Sequence, residues 1–365
     1  MPRLLAWFAA SARDLPWRRT RDPYAIWVSE IMLQQTQVAT VIPYWERWLR
    51  ELPTIAAAAQ ADSARIHKLW EGLGYYTRVR NLQRAARQIV ARHDGRFPTD
   101  FVDVLALAGI GRYTAGAICS IAFNQPTPLL DGNVIRVLTR LFGLDGDPRQ
   151  RPTSDELWQL AGVLVATAAA QETQGNGEPR ACAHLNQALM EVGALVCTPR
   201  SPRCAACPVA RFCTARAQGQ PEAYPRQEPR PAATRKRMLA CVASRRGRFL
   251  VRQRGVGVVN AHLWEFPSVE VGHGAVEPAT VVSVWLETHS GDATPWCVIR
   301  HAITRYRITL EVFRMELAQR PAQVAGLAWR TLAQMEALAF SSAHKKILDR
   351  LRGETSSAGV RPAGK

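Results

Sequence analysis

The sequence predicts a multidomain protein: an all-helical N-terminal domain over residues 1–217, followed by a smaller α+β domain over 237–352. Three observations predict it. Apolar residues recur at helical spacing between short breaks up to about Ala217, the stretch 218–236 is rich in Pro, Gln, Glu and Arg without an apolar period, and beyond it the period shortens to two.

In the first part Asp22-Pro23, Leu52-Pro53-Thr54, Phe97-Pro98-Thr99 and Pro152-Thr153-Ser154 each stand ahead of an apolar periodic run. Proline is tolerated in a first helical turn, where its missing N–H has no acceptor to lose, so these read as helix starts. Residues 218–236 read as a linker. The runs 238–244, 248–253, 298–300 and 306–315 are short and β-branched. Alternation is clearest where Tyr306, Ile308, Leu310 and Val312 oppose Arg307, Thr309 and Glu311. Helical spacing returns over 276–288 and 331–351. Residues 353–365, rich in Ser, Gly and Pro, are expected to form a disordered tail.

With 365 residues and 47% hydrophobic content the chain can fill two cores. A net charge of +17 favours a polyanionic partner, because each phosphate neutralised by Lys or Arg releases condensed counterions; nucleic acid is preferred over an anionic membrane surface. Arg3, Arg13 and Asp14 interrupt the early apolar residues, and no uncharged stretch approaches membrane-spanning length. The expectation is a cytoplasmic protein with reduced thiols and no membrane partner.

Cys197-x6-Cys204-x2-Cys207-x5-Cys213 brings four thiols into a short loop, the number that encloses a metal centre with no position left for substrate. Such a site holds zinc or an iron-sulfur cluster, and this spacing matches neither the paired-CxxC zinc pattern nor the ferredoxin runs. Cys119, Cys182, Cys241 and Cys297 stand apart and read as reduced structural residues.

Glu30 follows Asp22-Pro23 on a helix of Ile26, Trp27, Ile31 and Leu33, with Ser29, Gln34, Gln35 and Gln37 around it. A carboxyl desolvated there holds its proton to higher pH, as a general acid must; an exposed helix glutamate is the competing reading. In Leu107-Ala108-Gly109-Ile110-Gly111-Arg112-Tyr113-Thr114 two glycines make a tight hairpin between helices. Its N–H groups, reinforced by the next helix N-terminus, suit a phosphate oxygen; a plain helix-helix turn is the competing reading. Leu130-Asp131-Gly132-Asn133-Val134 sets Asp131 just before an amphipathic helix, as an N-cap or as the anionic member of a carboxyl pair with Glu30. Gly72-Leu73-Gly74-Tyr75-Tyr76-Thr77-Arg78 joins two aromatics to flanking cations on a glycine turn, which suits a wedge in a base stack or, alternatively, core tyrosines.

Together these residues resemble the helix-hairpin-helix DNA glycosylase superfamily, and within it the adenine DNA glycosylase (MutY) family. Leu15-Pro16-Trp17-Arg18, the run from Ser29-Glu30-Ile31 to Gln37-Val38, Leu69-Trp70-Glu71 with the glycine turn, the hairpin, Leu130-Asp131-Gly132-Asn133-Val134 and the cysteine loop occur in order, so the resemblance covers nearly the whole chain. It implies a helix-hairpin-helix glycosylase domain whose loop 197–213 holds a 4Fe-4S cluster on Cys197, Cys204, Cys207 and Cys213, with zinc the minor alternative. The implied reaction is hydrolysis of the N-glycosidic bond of adenine mispaired with 8-oxoguanine or guanine in double-stranded DNA, by a monomeric, nucleoid-associated bacterial enzyme. Glu30 would protonate adenine N7. Asp131 would stabilise the developing sugar cation or form a transient adduct with it, oriented by Asn133, with Tyr113 near the sugar. Arg13, Leu15, Trp17, Arg18 and Gln187 would line the adenine pocket, and Gln35, Thr36, Leu73 and Tyr75 would contact or wedge beside the opposing base. Gly109 and Gly111 would hold phosphate.

Tyr113 stands where lyase relatives carry a Schiff-base lysine, so the resemblance implies a monofunctional glycosylase. The second domain resembles the Nudix-like recognition domain of the same family through Leu263-Trp264-Glu265-Phe266-Pro267, although Ser268 replaces the usual following glycine. The carboxylate-rich Nudix box is missing around 272–291, which removes the Mg²⁺ site that pyrophosphate cleavage needs. Ile303, Thr304 and Arg305 occupy the places of a Phe-Ser-His loop; Thr304 keeps a hydroxyl and Arg305 can reach a phosphate or base edge. The competing readings are an endonuclease III-like pyrimidine-lesion glycosylase/lyase, a non-enzymatic DNA-binding iron-sulfur protein and, third, a Nudix-type nucleotide hydrolase.

Overall fold

The computed structural model describes residues 1–173, 179–228, 232–272, 293–317 and 326–358. The chain divides into two compact units, Met1–Ala61 with Arg80–Pro229, and Asp62–Val79 with Arg230–Lys365. Helices are α1 (Pro2–Ser11), α2 (Pro23–Leu33), α3 (Val38–Glu51), α4 (Ile55–Gln60), α5 (Ser63–Leu69), α6 (Thr77–Arg92), α7 (Phe101–Leu105), α8 (Arg112–Phe123), α9 (Gly132–Phe142), α10 (Arg151–Thr173), α11 (Ala181–Leu195), α12 (Thr214–Ala217), α13 (Leu332–Glu336) and α14 (Ser342–Ala358). Among the described residues no helix is long and apolar enough to cross a membrane.

The first unit is helical, as the 3.6-residue period predicts. Its core joins Leu4, Leu5 and Phe8 of α1 to Val134, Val137 and Leu138 of α9, Leu157 and Val165 of α10, and Leu185, Leu189 and Val192 of α11. Burying each such side chain contributes roughly 1.5–3 kcal/mol, so this core sets the relative placement of α9 and α11, which carry much of the site. Side chains start the helices: Asp22 accepts the Tyr24 N–H, Thr54 that of Ala57 and Asp100 those of Val102 and Asp103. The early part of 218–236 packs rather than spans: Tyr224 is buried, and its carbonyl accepts from Arg140 Nε at 3.0 Å.

The second unit is a mixed sheet of β1 (Thr234–Arg245), β2 (Arg248–Gln253), β3 (Trp264–Glu265), β4 (Ser268–Val271), β5 (Thr294–Ile303), β6 (Tyr306–Glu316) and β7 (Leu327–Arg330). The order is β3-β2-β1-β6-β5, with β4 on β1 and β7 on β2; β1 and β6 run parallel and the other pairs antiparallel. Along β1, Ala240 and Val242 enter one core with Ile347 and Leu348 of α14, while Leu239, Cys241 and Ala243 enter another. Two buried faces on one strand are the signature of a sheet covered on both sides.

The α+β expectation holds, with local differences. β1 begins at Thr234, inside the stretch read as linker, because Thr234 N–H bonds Arg305 O and the strand then pairs along β6. β5 is longer than 298–300, since an edge strand needs apolar side chains on one face only and Thr294 and Arg300 hide its period. The helix expected over 331–351 is two helices, because residues 339–341 pair with Trp264 through Trp264 N–H to Ala339 O and Ser341 N–H to Trp264 O. α14 continues past Gly353 to Ala358, into the expected tail, held there by Glu354, which accepts from Trp296 Nε1 at 2.9 Å and pairs with Arg314. The helix expected over 276–288 lies outside the described residues.

Candidate active site

Residues 24–32 of α2 are all buried, so the helix carries Glu30 into the core with only 5% of it exposed. Across from it, α8 begins directly after the hairpin. Gly109 there has φ +76, and a Cβ would come within 2.5 Å of Asn81, so both conformation and space call for glycine. The hairpin turn puts Tyr113 in the first turn of α8, where its hydroxyl donates to Glu30 Oε2 at 2.7 Å.

Asp131 caps α9. Its Oδ1 accepts the Val134 N–H at 2.7 Å and its Oδ2 accepts from Asn133 Nδ2 at 2.7 Å. Asn133 in turn accepts from Arg136 at 2.8 Å, and Arg136 also donates to the carbonyls of Gly193 and Cys197. α11 approaches this corner so closely that a Cβ on Gly193 would meet Asn133 at 2.5 Å.

Burial pushes the Glu30 carboxyl up to about 7, and the charge of Asp131 adds to the rise against the pull of the Tyr113 hydrogen bond and Arg18. Burial also raises Asp131, but its two hydrogen-bonded oxygens and Arg136 oppose the shift. The two carboxyls have unequal surroundings: burial dominates at Glu30, whereas hydrogen bonds to both oxygens oppose it at Asp131. Burial, followed by the nearby carboxylates, raises Tyr113 well above the usual tyrosine range, which keeps it a neutral donor.

These groups line one cavity of about 610 Å³, with Arg13, Leu15, Trp17, Arg18, Gln187, Gln35 and Thr36 also in its wall. Every residue expected around the adenine and both Gln35 and Thr36 thus come together with Glu30, Tyr113, Asp131 and Asn133. Gly109 and Gly111 stand at the hairpin, outside the lining. Leu73 and Tyr75 belong to the second unit, as do Thr304, with φ +50 in the β5–β6 turn, and Arg305, whose guanidinium donates to the Tyr306 hydroxyl at 3.1 Å.

Sequence reasoning missed Glu191 and Met190 in the same wall. Glu191 is fully buried on α11 and accepts from Arg13 N at 2.9 Å, Arg13 Nε and Nη2 at 2.8 Å and Arg18 Nη2 at 2.8 Å. Burial alone would push this carboxyl up, but those hydrogen bonds bring it down to about 2. Its spacing of one helical turn from Gln187 was the available signal.

Cys197, Cys204, Cys207 and Cys213 run from the end of α11 to the start of α12. Burial raises Cys207 and Cys213, and the other thiols of the quartet raise them further, so the four lie within electrostatic reach of one another. Among the described residues no three His, Cys, Asp or Glu side chains converge on a single ion site. Arg140, buried in α9, aims Nη1 at Cys197 Sγ at 3.4 Å, a cation placed for a thiolate-bound anionic group.

Comparison with known proteins bears on each part. A family model described as HhH-GPD superfamily base excision DNA repair protein matches residues 28–162, the iron-sulfur binding domain of endonuclease III matches 197–216, and a NUDIX domain matches 238–350. The iron-sulfur match decides the cofactor that spacing left open: a 4Fe-4S cluster, which the four cysteines would hold. The adenine DNA glycosylase of Mus musculus is 35% identical over 94% of this chain and 76% of its own length. That of Homo sapiens is 34% identical over 96% and 73%, and that of Buchnera aphidicola from Schizaphis graminum is 32% identical over 75% and 76%. Among solved structures, a thermostable thymine-DNA glycosylase matches with a TM-score of 0.52 at 28% identity, over 60% of this chain and 94% of that one.

Proposed function

The chain belongs to the adenine DNA glycosylase family, and from that premise we propose that it hydrolyses the N-glycosidic bond of adenine mispaired with 8-oxoguanine or guanine in duplex DNA. The observation that carries the reading is the buried pair in one cavity, Glu30 bonded to Tyr113 and Asp131 bonded on both oxygens. Adenine must leave the stack to reach Glu30, which costs a few kcal/mol and less at a mispair. Glu30 then gives its proton to adenine N7, and the base departs as a neutral leaving group. Asp131, held as an anion by Val134 and Asn133, faces the positive charge that develops on the sugar. Tyr113 fixes the Glu30 oxygen that does not carry the proton. Gln187, Arg13 and Arg18 meet the base edge, Leu15 and Trp17 its faces, and Gln35 and Thr36 at the mouth meet the opposing strand. In the second unit Leu73, Tyr75, Thr304 and Arg305 read the base left opposite.

Cys197, Cys204, Cys207 and Cys213 would hold the 4Fe-4S cluster outside the cavity lining, where it would shape the loop that carries the exposed Arg200, Arg203 and Arg211. Those cations and the Gly109–Gly111 hairpin supply phosphate contacts independent of sequence. Because Tyr113 cannot form an imine, strand cleavage should follow only on alkali treatment. Duplexes carrying adenine opposite 8-oxoguanine, adenine opposite guanine, and thymine glycol opposite adenine test the reading. Adenine should leave the first two, with no borohydride-trapped adduct. Attack on the third alone, or an adduct that vanishes on mutation of Tyr113, would sink it.

A further inference from the structure

We propose that Glu191 is a positioning residue for the proton of Glu30: it binds Arg13 and Arg18 into the cavity wall and so withholds their charge from the acid. The inference rests on Glu30 being the general acid. Four hydrogen bonds of 2.8–2.9 Å converge on the Glu191 carboxylate, three from Arg13 and one from Arg18, and Arg18 Nη1 also donates to Arg13 O at 3.0 Å. The side chains of Glu191, Arg18 and Arg13 are 1%, 15% and 36% exposed, so water screens the Glu191–Arg18 pair little and reaches mainly the outer part of Arg13.

The charges that face Glu30 come from several elements. Tyr113 on α8 donates to it, Asp131 caps α9, and Arg18 lies on the turn before α2, with Arg13 and Glu191 lining the same cavity. One carboxylate against two guanidiniums leaves a single net positive charge in that wall. Without Glu191 there would be two, and the remaining carboxylates of the cavity lining are Glu30 and Asp131. A freed guanidinium would turn to one of them. Paired with Glu30 it would stabilise the carboxylate and strip the acid of its proton in the pH range where it must hold it. Glu191 therefore keeps two cations beside an acid without ionising it, while leaving their outer N–H groups for the base.

The experiment is the pH dependence of single-turnover adenine excision. In Glu191→Gln the midpoint at which the rate falls with rising pH should move down by about one pH unit, the scale of one unit charge in a partly dry site. Glu191→Asp, which keeps the charge, should leave the midpoint near the wild-type value. Arg18→Gln guards against poor folding of Glu191→Gln, since it keeps Glu191 paired with Arg13; removing a cation should move the midpoint up. Carboxyl-carbon NMR of Glu30 in the DNA-free protein should show the same order of pKa values. A Glu191→Gln rate lowered evenly at every pH, or an Arg18→Gln midpoint that stays or moves down, overturns the proposal. Glu30→Gln separates the two claims: full activity in that variant defeats the acid assignment itself, whereas its inactivity with unmoved midpoints defeats only the role of Glu191.

Discussion

Glu30, the proposed acid, carries a cost to folding. Its folded-state pKa is about 7 against an ordinary 4.5, because burial disfavours the charged form. A raised pKa means the folded state binds the proton more tightly, so the contribution to stability is full below about pH 4.5 and is lost as pH rises through about 7. Above that the buried carboxylate costs roughly 3 kcal/mol. Glu30→Gln should therefore unfold at a higher temperature than wild type at pH 8 and close to the wild-type temperature at pH 5; calorimetry at the two pH values reads this directly. Asp131 separates capping from charge in the same way. Asn is as good an N-cap as Asp, so Asp131→Asn should keep the cap on Val134 and change stability by less than about 1 kcal/mol, while excision falls by orders of magnitude. A large loss of stability with retained excision would reverse that assignment. The sequence offered both carboxyls as candidates through the resemblance that their runs carry, and the structure places them in one cavity. Glu191 was not among those candidates, since a glutamate between Met190 and Val192 reads as an ordinary helix residue and its partners Arg13 and Arg18 lie at the other end of the domain.

At the level of elements, helical periodicity and proline breaks mark most of the first unit, whereas strand limits were less legible. β5 is an edge strand with a mixed face, and the break between α13 and α14 falls where residues 339–341 pair with Trp264. Such long-range pairing leaves no local mark on composition. The segment 62–79 is a further case. Glu71 Oε1 accepts the Phe340 N–H at 2.8 Å and Oε2 accepts from Lys68 Nζ at 2.6 Å, and Lys68 also donates to Leu338 O at 2.9 Å. The Gly72–Tyr76 turn thus begins at a side chain fixed to the Nudix-like unit. Glu71→Ala leaves the Phe340 N–H and Lys68 without that acceptor, at a cost of about 1–3 kcal/mol. Amide hydrogen exchange over 62–79 should accelerate in the variant; unchanged protection would mean that other contacts hold the turn.

Across the whole molecule, two ends of one helix serve two functions. Asp131 caps α9 at the cavity, and Arg136 and Arg140, one turn apart, reach the cysteine loop. The four cysteines were legible as a metal site, and the identity of the metal was not, because four thiolates can hold either zinc or iron and this spacing matches neither the paired-CxxC zinc pattern nor the ferredoxin runs. Protein purified without oxygen should absorb near ~400 nm and carry iron rather than stoichiometric zinc. Cys207→Ser should lose that absorbance together with DNA affinity, and the remaining affinity should depend less steeply on salt as the loop's phosphate contacts go. The central claim is nearer the chemistry, that Glu30 delivers the proton which releases adenine. Its most direct test is single-turnover release of free adenine from a duplex with adenine opposite 8-oxoguanine, followed across pH in wild type and in Glu30→Gln. The expected wild-type rate falls with the slope of one proton as pH rises through about 7, and the variant is slower by at least ~10²-fold below that point. Adenine release by Glu30→Gln at the wild-type rate, with the same dependence on pH, would contradict it.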